Sequence, residues 1–290
     1  MQPFLKWAGG KRWLVRNHPY LFPVKFGKYF EPFLGSGAVF FSILPQYGVL
    51  SDTNSSLINC YLAIKNAPQK VLRNLKNFRD KHSDEYYYIA RSKKGSSMYY
   101  EAARFIYLNR TCFNGIYREN LKGEFNVPRG TKDNILFDTD DFCQISNALN
   151  GFDLIAGDFQ STIDKAGQGD FIFIDPPYTV RHNKNGFVKY NQKIFRWGDQ
   201  LRLRDAVEGA RKRGAMCLVT NANHPSIREI YEPLGEFVEL PRHSVISGNN
   251  ASRCLSTELA ICVGYSPINQ RETTQNIDHQ NYQIKKRTHY

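Results

Sequence analysis

The sequence predicts a mostly parallel, doubly wound α/β sheet with an inserted, mainly helical domain. Two observations predict the sheet. Short apolar runs bounded by turn residues recur toward both ends of the chain, and segments of helical periodicity lie between them. A third predicts the insertion: residues 66–150 are charged, Tyr-rich and mainly helical in pattern. Residues 28–31, 48–51, 152–156, 171–174, 215–220 and 257–263 read as buried strands. Residues 37–44, 55–65, 197–212 and 225–231 read as helices. Residues 117–128 break the helical pattern and read as a hairpin or extended loop. The expected organisation is therefore 1–65 and 151–266 as two parts of one α/β domain, 66–150 as the insertion, and 267–290 as a polar, aperiodic, disordered tail.

Composition narrows the partners. The chain has 290 residues, 41% of them hydrophobic, and a net charge of +12. That balance favours a polyanion, because each Lys or Arg placed on a phosphate releases condensed counterions. None of the six cysteines forms a C-x-x-C pair, so no metal site is expected. No apolar stretch approaches the ~20 residues of a membrane helix. With no apolar leader at the N-terminus, a cytoplasmic protein is expected, and no obligate protein partner is evident.

The strongest chemical signal is Asp175-Pro176-Pro177-Tyr178, directly after the strand FIFI. Open α/β sheets present ligands to the carboxyl ends of their strands. Two prolines fix the backbone there and remove two donors. The Asp175 carboxylate and the Pro176 carbonyl can accept the two N–H groups of an exocyclic amine, and the Tyr178 ring can stack on a base. Taken alone, a rigid turn with a capping Asp explains the tetrapeptide equally well.

Three further segments carry signals. Glu31-Pro32-Phe33-Leu34-Gly35-Ser36-Gly37 follows the first strand, where glycines let a ligand approach the backbone. It is a G-x-G and not a full G-x-G-x-x-G, so a dinucleotide is not indicated. Asp52 follows the second strand, a common place for an acid holding ribose hydroxyls. At the N-terminus, Phe4-Leu5-Lys6-Trp7-Ala8-Gly9-Gly10-Lys11 offers an apolar wall and a cation, although a surface loop is the simpler reading. Finally, Asn109 to Asn120 and Lys122 to Pro128 crowd Arg, Asn and aromatic residues around an Asn-Gly turn. Arg suits guanine, Asn suits adenine, and apolar side chains can wedge into a base stack. A polar hairpin with solvated charges is the plainer alternative.

Together these segments resemble the Dam family of DNA adenine methyltransferases, which carry FLKWAGGK near the N-terminus. FLKWAGGK, EPFLGSGAVFF, SDTN, NRTCFNGIYREN with GEFNVP, AGDF and FIDPPY occur in the family's order. The match covers roughly Phe4 to Val263. It implies a Rossmann-like methyltransferase fold, S-adenosylmethionine as methyl donor and double-stranded DNA as substrate. It assigns Trp7, Lys11, Phe33, Gly35, Gly37, Asp52, Asp158, Phe159 and Asp175 to the cofactor side. It assigns Asp175, Pro176 and Tyr178 to catalysis. Lys6 and Arg118 match guanine-contacting residues of GATC-specific members. Phe113, Asn114, Ile116 and Pro128 match residues that wedge into or read neighbouring base pairs. The implied reaction flips the adenine out of the duplex and transfers the methyl in line to N6. Three alternatives compete. RNA or protein amide methylation is disfavoured because those enzymes usually carry Asn where Asp175 stands. Cytosine N4 methylation is disfavoured because those enzymes usually carry Ser where Asp175 stands. A binding module with a dead cofactor fold is disfavoured by the intact Asp52, Asp175 and Tyr178.

Overall fold

The computed structural model of the chain describes residues 1–95, 97–120, 123–181, 195–242 and 256–267. The expected tail, from residue 268 onward, lies outside the described residues. The chain divides into two compact units. The first comprises Met1–Arg16 and Leu34–Asp158, and the second Asn17–Phe33 and Phe159–Tyr290. Helix α1 (Arg12–Asn17) runs across the first boundary in the chain.

In the first unit, strands β2 (Gly48–Asp52) and β3 (Phe152–Ala156) pair in parallel, from Gly48 opposite Phe152 to Asp52 opposite Ala156. The short helix α2 (Phe40–Ile43) precedes β2. Helix α3 (Ser55–Asn66) packs on both strands. Its start is fixed by Asn54, whose side chain accepts the Leu57 amide at 3.0 Å. Helices α4 (Pro68–Asp80), α6 (Met98–Thr111) and α7 (Phe142–Leu149) pack on α3. Helix α5 (Asp84–Ser92) packs on α6. The caps follow the sequence: Pro68 opens α4, and Ser83, Ser97 and Asp141 accept first-turn amides of α5, α6 and α7. Every residue of α6 from Ala102 to Thr111 is buried. The segment after α6 is hairpin-like, bridged at Cys112–Arg129 and Glu119–Phe125, as its turn residues imply.

In the second unit the strand order is β1 (Tyr29–Glu31), β4 (Phe171–Ile174), β5 (Met216–Ala222), β7 (Ser256–Val263), β6 (Gly235–Arg242). The β1–β4 and β4–β5 pairings are parallel, and β5–β7 and β7–β6 are antiparallel. Strand β4 is buried along its whole length, which is why it reads as an unbroken apolar run. Helix α9 (Trp197–Lys212) packs on β5, on α8 (Phe159–Ile163) and on α10 (Pro225–Tyr231).

The mostly parallel, Rossmann-like α/β class expected from the sequence is the class observed. Three details differ. Strand β6 was not expected, because GEFVELPR is half polar and contains Pro241; it pairs with β7 alone and so tolerates both. Strand β5 begins and ends later than 215–220, because its last residues pair with Leu259 and Glu258. The helix expected over 37–44 is a single turn, α2, because Gly37 has φ +63° and the chain enters the helix only at Phe40.

Candidate functional site

In the first unit the end of β2 carries Asp52. Its Oδ2 accepts the Gly35 amide at 3.0 Å and its Oδ1 accepts the Asn54 amide at 2.9 Å. Burial raises the Asp52 pKa, and the amides of Asn54, Gly35 and Thr53 offset part of that rise. Two carboxylate oxygens offer about four lone-pair sites, so a carboxylate anchored by these amides still has capacity for a hydroxyl donor. Gly35 has φ +49°, and a Cβ there would stand 2.8 Å from Cδ1 of Trp7. The Trp7 indole therefore lies against this turn. It stacks on Tyr117 at 5.7 Å between centroids and on Phe105 at 6.5 Å. The structure thus places Trp7 beside Gly35, whose amide is bound by Asp52. Asp158 is exposed just beyond β3, and the neighbouring Gly157 amide donates to the Asp52 carbonyl at 3.0 Å.

Two candidates of this group face inward. The Lys11 ammonium is buried and donates to the Gly9 carbonyl at 3.0 Å. Gly37 has φ +63°, and a Cβ there would crowd the Phe41 ring at 3.1 Å and the Tyr61 hydroxyl at 3.2 Å, so backbone conformation and packing both favour glycine.

The nucleic-acid candidates also lie in the first unit. Lys6 and Asn109 form a reciprocal pair. The Lys6 amide donates to Asn109 Oδ1 at 2.8 Å, and Asn109 Nδ2 donates to the Lys6 carbonyl at 2.7 Å. The Lys6 ammonium donates to the Arg110 carbonyl at 2.9 Å, and burial, followed by the charge on Lys132, lowers its pKa. The stem of Lys6 crosses Gly115, where a Cβ would stand 2.8 Å away. Lys6 is thus held beside the turn that exposes Phe113, Asn114 and Ile116. Asn114 takes φ +54°, and the Phe113 amide donates to the Pro128 carbonyl at 2.9 Å, so Pro128 joins the group. Arg118 is exposed, and its Nε donates to Asn126 Oδ1 at 2.8 Å.

Arg110 is the anchor of this arrangement. Its side chain is fully buried, pairs bidentately with Asp140 and donates to the carbonyls of Phe4 and Ile135. A buried, fully bonded guanidinium beside the N-terminal segment fixes where Lys6 and Trp7 sit. The sequence offered no sign that Arg110, alone among the arginines of its motif, is interior.

In the second unit the end of β4 carries Asp175. The Thr220 hydroxyl of β5 donates to Asp175 Oδ1 at 2.6 Å. The Tyr178 hydroxyl lies 3.3 Å from the same oxygen and 2.9 Å from Oε2 of Glu258 on β7. Burial, then the charges of Asp175 and Glu258, push the Tyr178 phenol well above its ordinary pKa. Pro176 is buried and Tyr178 half-buried. Phe159 stacks on Phe33 at 5.5 Å, with Phe195 at 5.9 Å and the Arg202 guanidinium 4.6 Å from the Phe159 ring. Thr220 and Glu258 were not anticipated. A lone Glu inside the apolar run TELAICV is the sign that was available, since a buried carboxylate demands a partner.

The family model described as D12 class N6 adenine-specific DNA methyltransferase matches residues 7–243. A type II methyltransferase of Lactococcus lactis subsp. cremoris, M1.LlaDCHI, is 38% identical over 241 residues, covering 80% of this chain and 85% of that protein. The type II methyltransferase M.MjaIII of Methanocaldococcus jannaschii is 34% identical over 255 residues, covering 80% and 88%. A DNA adenine methylase of Haemophilus influenzae is 32% identical over 269 residues, covering 91% and 94%. An acid and an aromatic at one strand end, an anchored acid at another and a match over most of the chain lead to one assignment: the chain belongs to the D12 class of N6 adenine-specific DNA methyltransferases.

Proposed function

We propose that this DNA methyltransferase transfers the methyl group of S-adenosylmethionine to N6 of an adenine in double-stranded DNA, within GATC, after rotating that adenine out of the duplex. The observation that carries the chemistry is Asp175 at the end of β4, oriented by the Thr220 hydroxyl at 2.6 Å and followed three residues later by Tyr178. The GATC reading rests on Lys6 and Arg118, which stand in motifs that resemble the guanine-contacting segments of GATC-specific members of the Dam family.

The residues fit an adenosine-containing donor: the Trp7 indole lies against the Gly35 turn as an apolar wall, and Asp52 is an anchored carboxylate suited to ribose hydroxyls. Trp7, Lys11, Phe33, Gly37, Asp158 and Phe159 complete the proposed cofactor side. When bound, the cofactor supplies an electrophilic methyl on a sulfonium. Asp175 and the Pro176 carbonyl accept the two N–H groups of the target amine, which turns the N6 lone pair out of the ring plane; as the N–C bond forms, the methyl's bond to sulfur breaks with its electron pair left on sulfur, and N6 releases one of its two protons. Stacking on Tyr178 offsets part of the cost of unpairing, at ~1–3 kcal/mol per base. Positioning supplies most of the acceleration, for which ~7–11 kcal/mol is attainable. Residues 66–150 act as the target-recognition region, with Phe113, Asn114, Ile116 and Pro128 at the neighbouring base pairs and Lys6 and Arg118 at the guanines.

Two measurements test this. Sequencing of modified bases in a methyl-free host expressing the chain should find N6-methyladenine at GATC. Asp175→Ala, with its fold intact, should lose nearly all single-turnover transfer. Near-normal transfer by that variant would remove Asp175 from the chemistry.

A further inference from the structure

Asp175 Oδ1 is approached by two hydroxyls, Thr220 at 2.6 Å and Tyr178 at 3.3 Å, and each hydroxyl has a single proton. Tyr178 has a nearer acceptor, Oε2 of Glu258 at 2.9 Å. The shortest consistent assignment sends the Thr220 proton to Asp175 and the Tyr178 proton to Glu258. Asp175 stands just past β4, Thr220 on β5 and Glu258 on β7; β5 lies between β4 and β7, and Glu258 stands opposite Ala222, two residues past Thr220. Glu258 is only 5% exposed, a costly place for a carboxylate without a task.

We propose that Glu258 is a positioning residue for methyl transfer: by accepting the Tyr178 hydroxyl it fixes the Tyr178 ring and keeps that proton from occupying Asp175. The inference rests on the function proposed above. Without Glu258, Asp175 Oδ1 at 3.3 Å is the acceptor left to the Tyr178 hydroxyl among the described bonds, so that proton competes with the incoming amine for the same oxygen, and the ring loses one of its tethers.

The test uses the full chain, saturating S-adenosylmethionine and a duplex oligonucleotide containing one unmethylated GATC. Glu258→Leu removes the acceptor and should slow single-turnover transfer about ten- to hundredfold, the range of one charge-assisted hydrogen bond, and leave cofactor affinity close to that of the wild type. Tyr178→Phe removes the competing proton, so the double variant should be no slower than Glu258→Leu alone. With tyrosine carbon-13 labelled at Cζ, the Tyr178 resonance, assigned by its loss in Tyr178→Phe, should move in Glu258→Leu at neutral pH. Wild-type transfer rates in a folded Glu258→Leu variant, or losses that multiply in the double variant, would overturn the proposal. Should Glu258→Leu fail to fold, Glu258→Gln, which keeps a neutral acceptor, takes its place, and an unmoved Tyr178 resonance there overturns it equally. A wild-type chain that transfers no methyl to adenine N6 overturns the proposed function itself, whereas the resonance still reports whether Glu258 holds Tyr178.

Discussion

Asp52 Oδ2 accepts the Gly35 amide at 3.0 Å, which ties the end of β2 to the loop that follows β1 in the chain. The carboxylate keeps its charge at a cost, since burial raises its pKa in the folded state. A carboxyl whose folded pKa exceeds its unfolded value binds its proton more tightly when folded. Its stabilising contribution is then fully present below the unfolded pKa and is lost as pH rises through the folded one. Asp52→Ala should therefore cost more stability near pH 4 than near pH 7, the reverse of an ordinary surface acid. Denaturant unfolding of both proteins at the two pH values checks this. An equal or larger cost at neutral pH would mean that the amides outweigh burial.

Gly35→Ala meets two obstacles, φ +49° and an added Cβ at 2.8 Å from Trp7. Backbone strain of this kind costs about 1–3 kcal/mol, and the collision displaces the indole as well. Gly9→Ala is the matched control, with φ +82° and nothing within 4 Å of its Cβ. Both variants should lose stability, and only Gly35→Ala should weaken S-adenosylmethionine binding, by about tenfold or more if Trp7 carries one good contact. Titration calorimetry and thermal unfolding separate the two effects. Equal cofactor affinity in both variants would free the Gly35 turn from any part in binding.

Phe113 is 52% exposed, so Phe113→Ala should change stability by no more than about 0.5 kcal/mol. If the ring wedges into the duplex, its loss should slow transfer to a paired adenine and matter little for an adenine opposite a mismatch, where unpairing is already paid. The same loss on both substrates would indicate a plain surface contact.

The legible parts of this protein were those with a local signature. Strand β4 and Asp175 were readable because FIFI is apolar throughout and the tetrapeptide begins where the run ends. Asn54, Ser83 and Asp141 all announce helix starts. Relationships between distant residues were not readable. Glu258 lies 80 residues from Tyr178, and its partner became evident only when β7 was seen beside β5. Arg110 looks like its exposed neighbour Arg118 in the sequence, yet one is fully buried on Asp140 and the other rests on Asn126 at the surface. Charge and residue type cannot distinguish them, because interior placement depends on which carbonyls the fold brings within reach.

Target choice depends on how Arg118 and Lys6 are held. Arg118 is exposed, and Asn126 accepts from its Nε at 2.8 Å, a bond that orients the guanidinium. An oriented fork suits the O6 and N7 acceptors of guanine, a contact worth ~1–3 kcal/mol of discrimination. Lys6 is held differently: its ammonium rests on the Arg110 carbonyl, its pKa is lowered by burial and Lys132, and its stem crosses Gly115. To reach a base it must leave that carbonyl, and it then offers a point charge without a fork. Arg118→Ala should therefore relax the preference at one guanine by about tenfold to a hundredfold, with little effect on non-specific affinity. Lys6→Ala should relax its guanine less, and by an amount that shrinks as salt rises. Asn126→Ala should reproduce part of the Arg118 effect, because the guanidinium remains and only its aim is lost. Competition between GATC and single-base variants at two salt concentrations, run with all three proteins and the wild type, reads each term. If Arg118 touches only phosphate, every sequence weakens together in Arg118→Ala and the choice of base stays sharp.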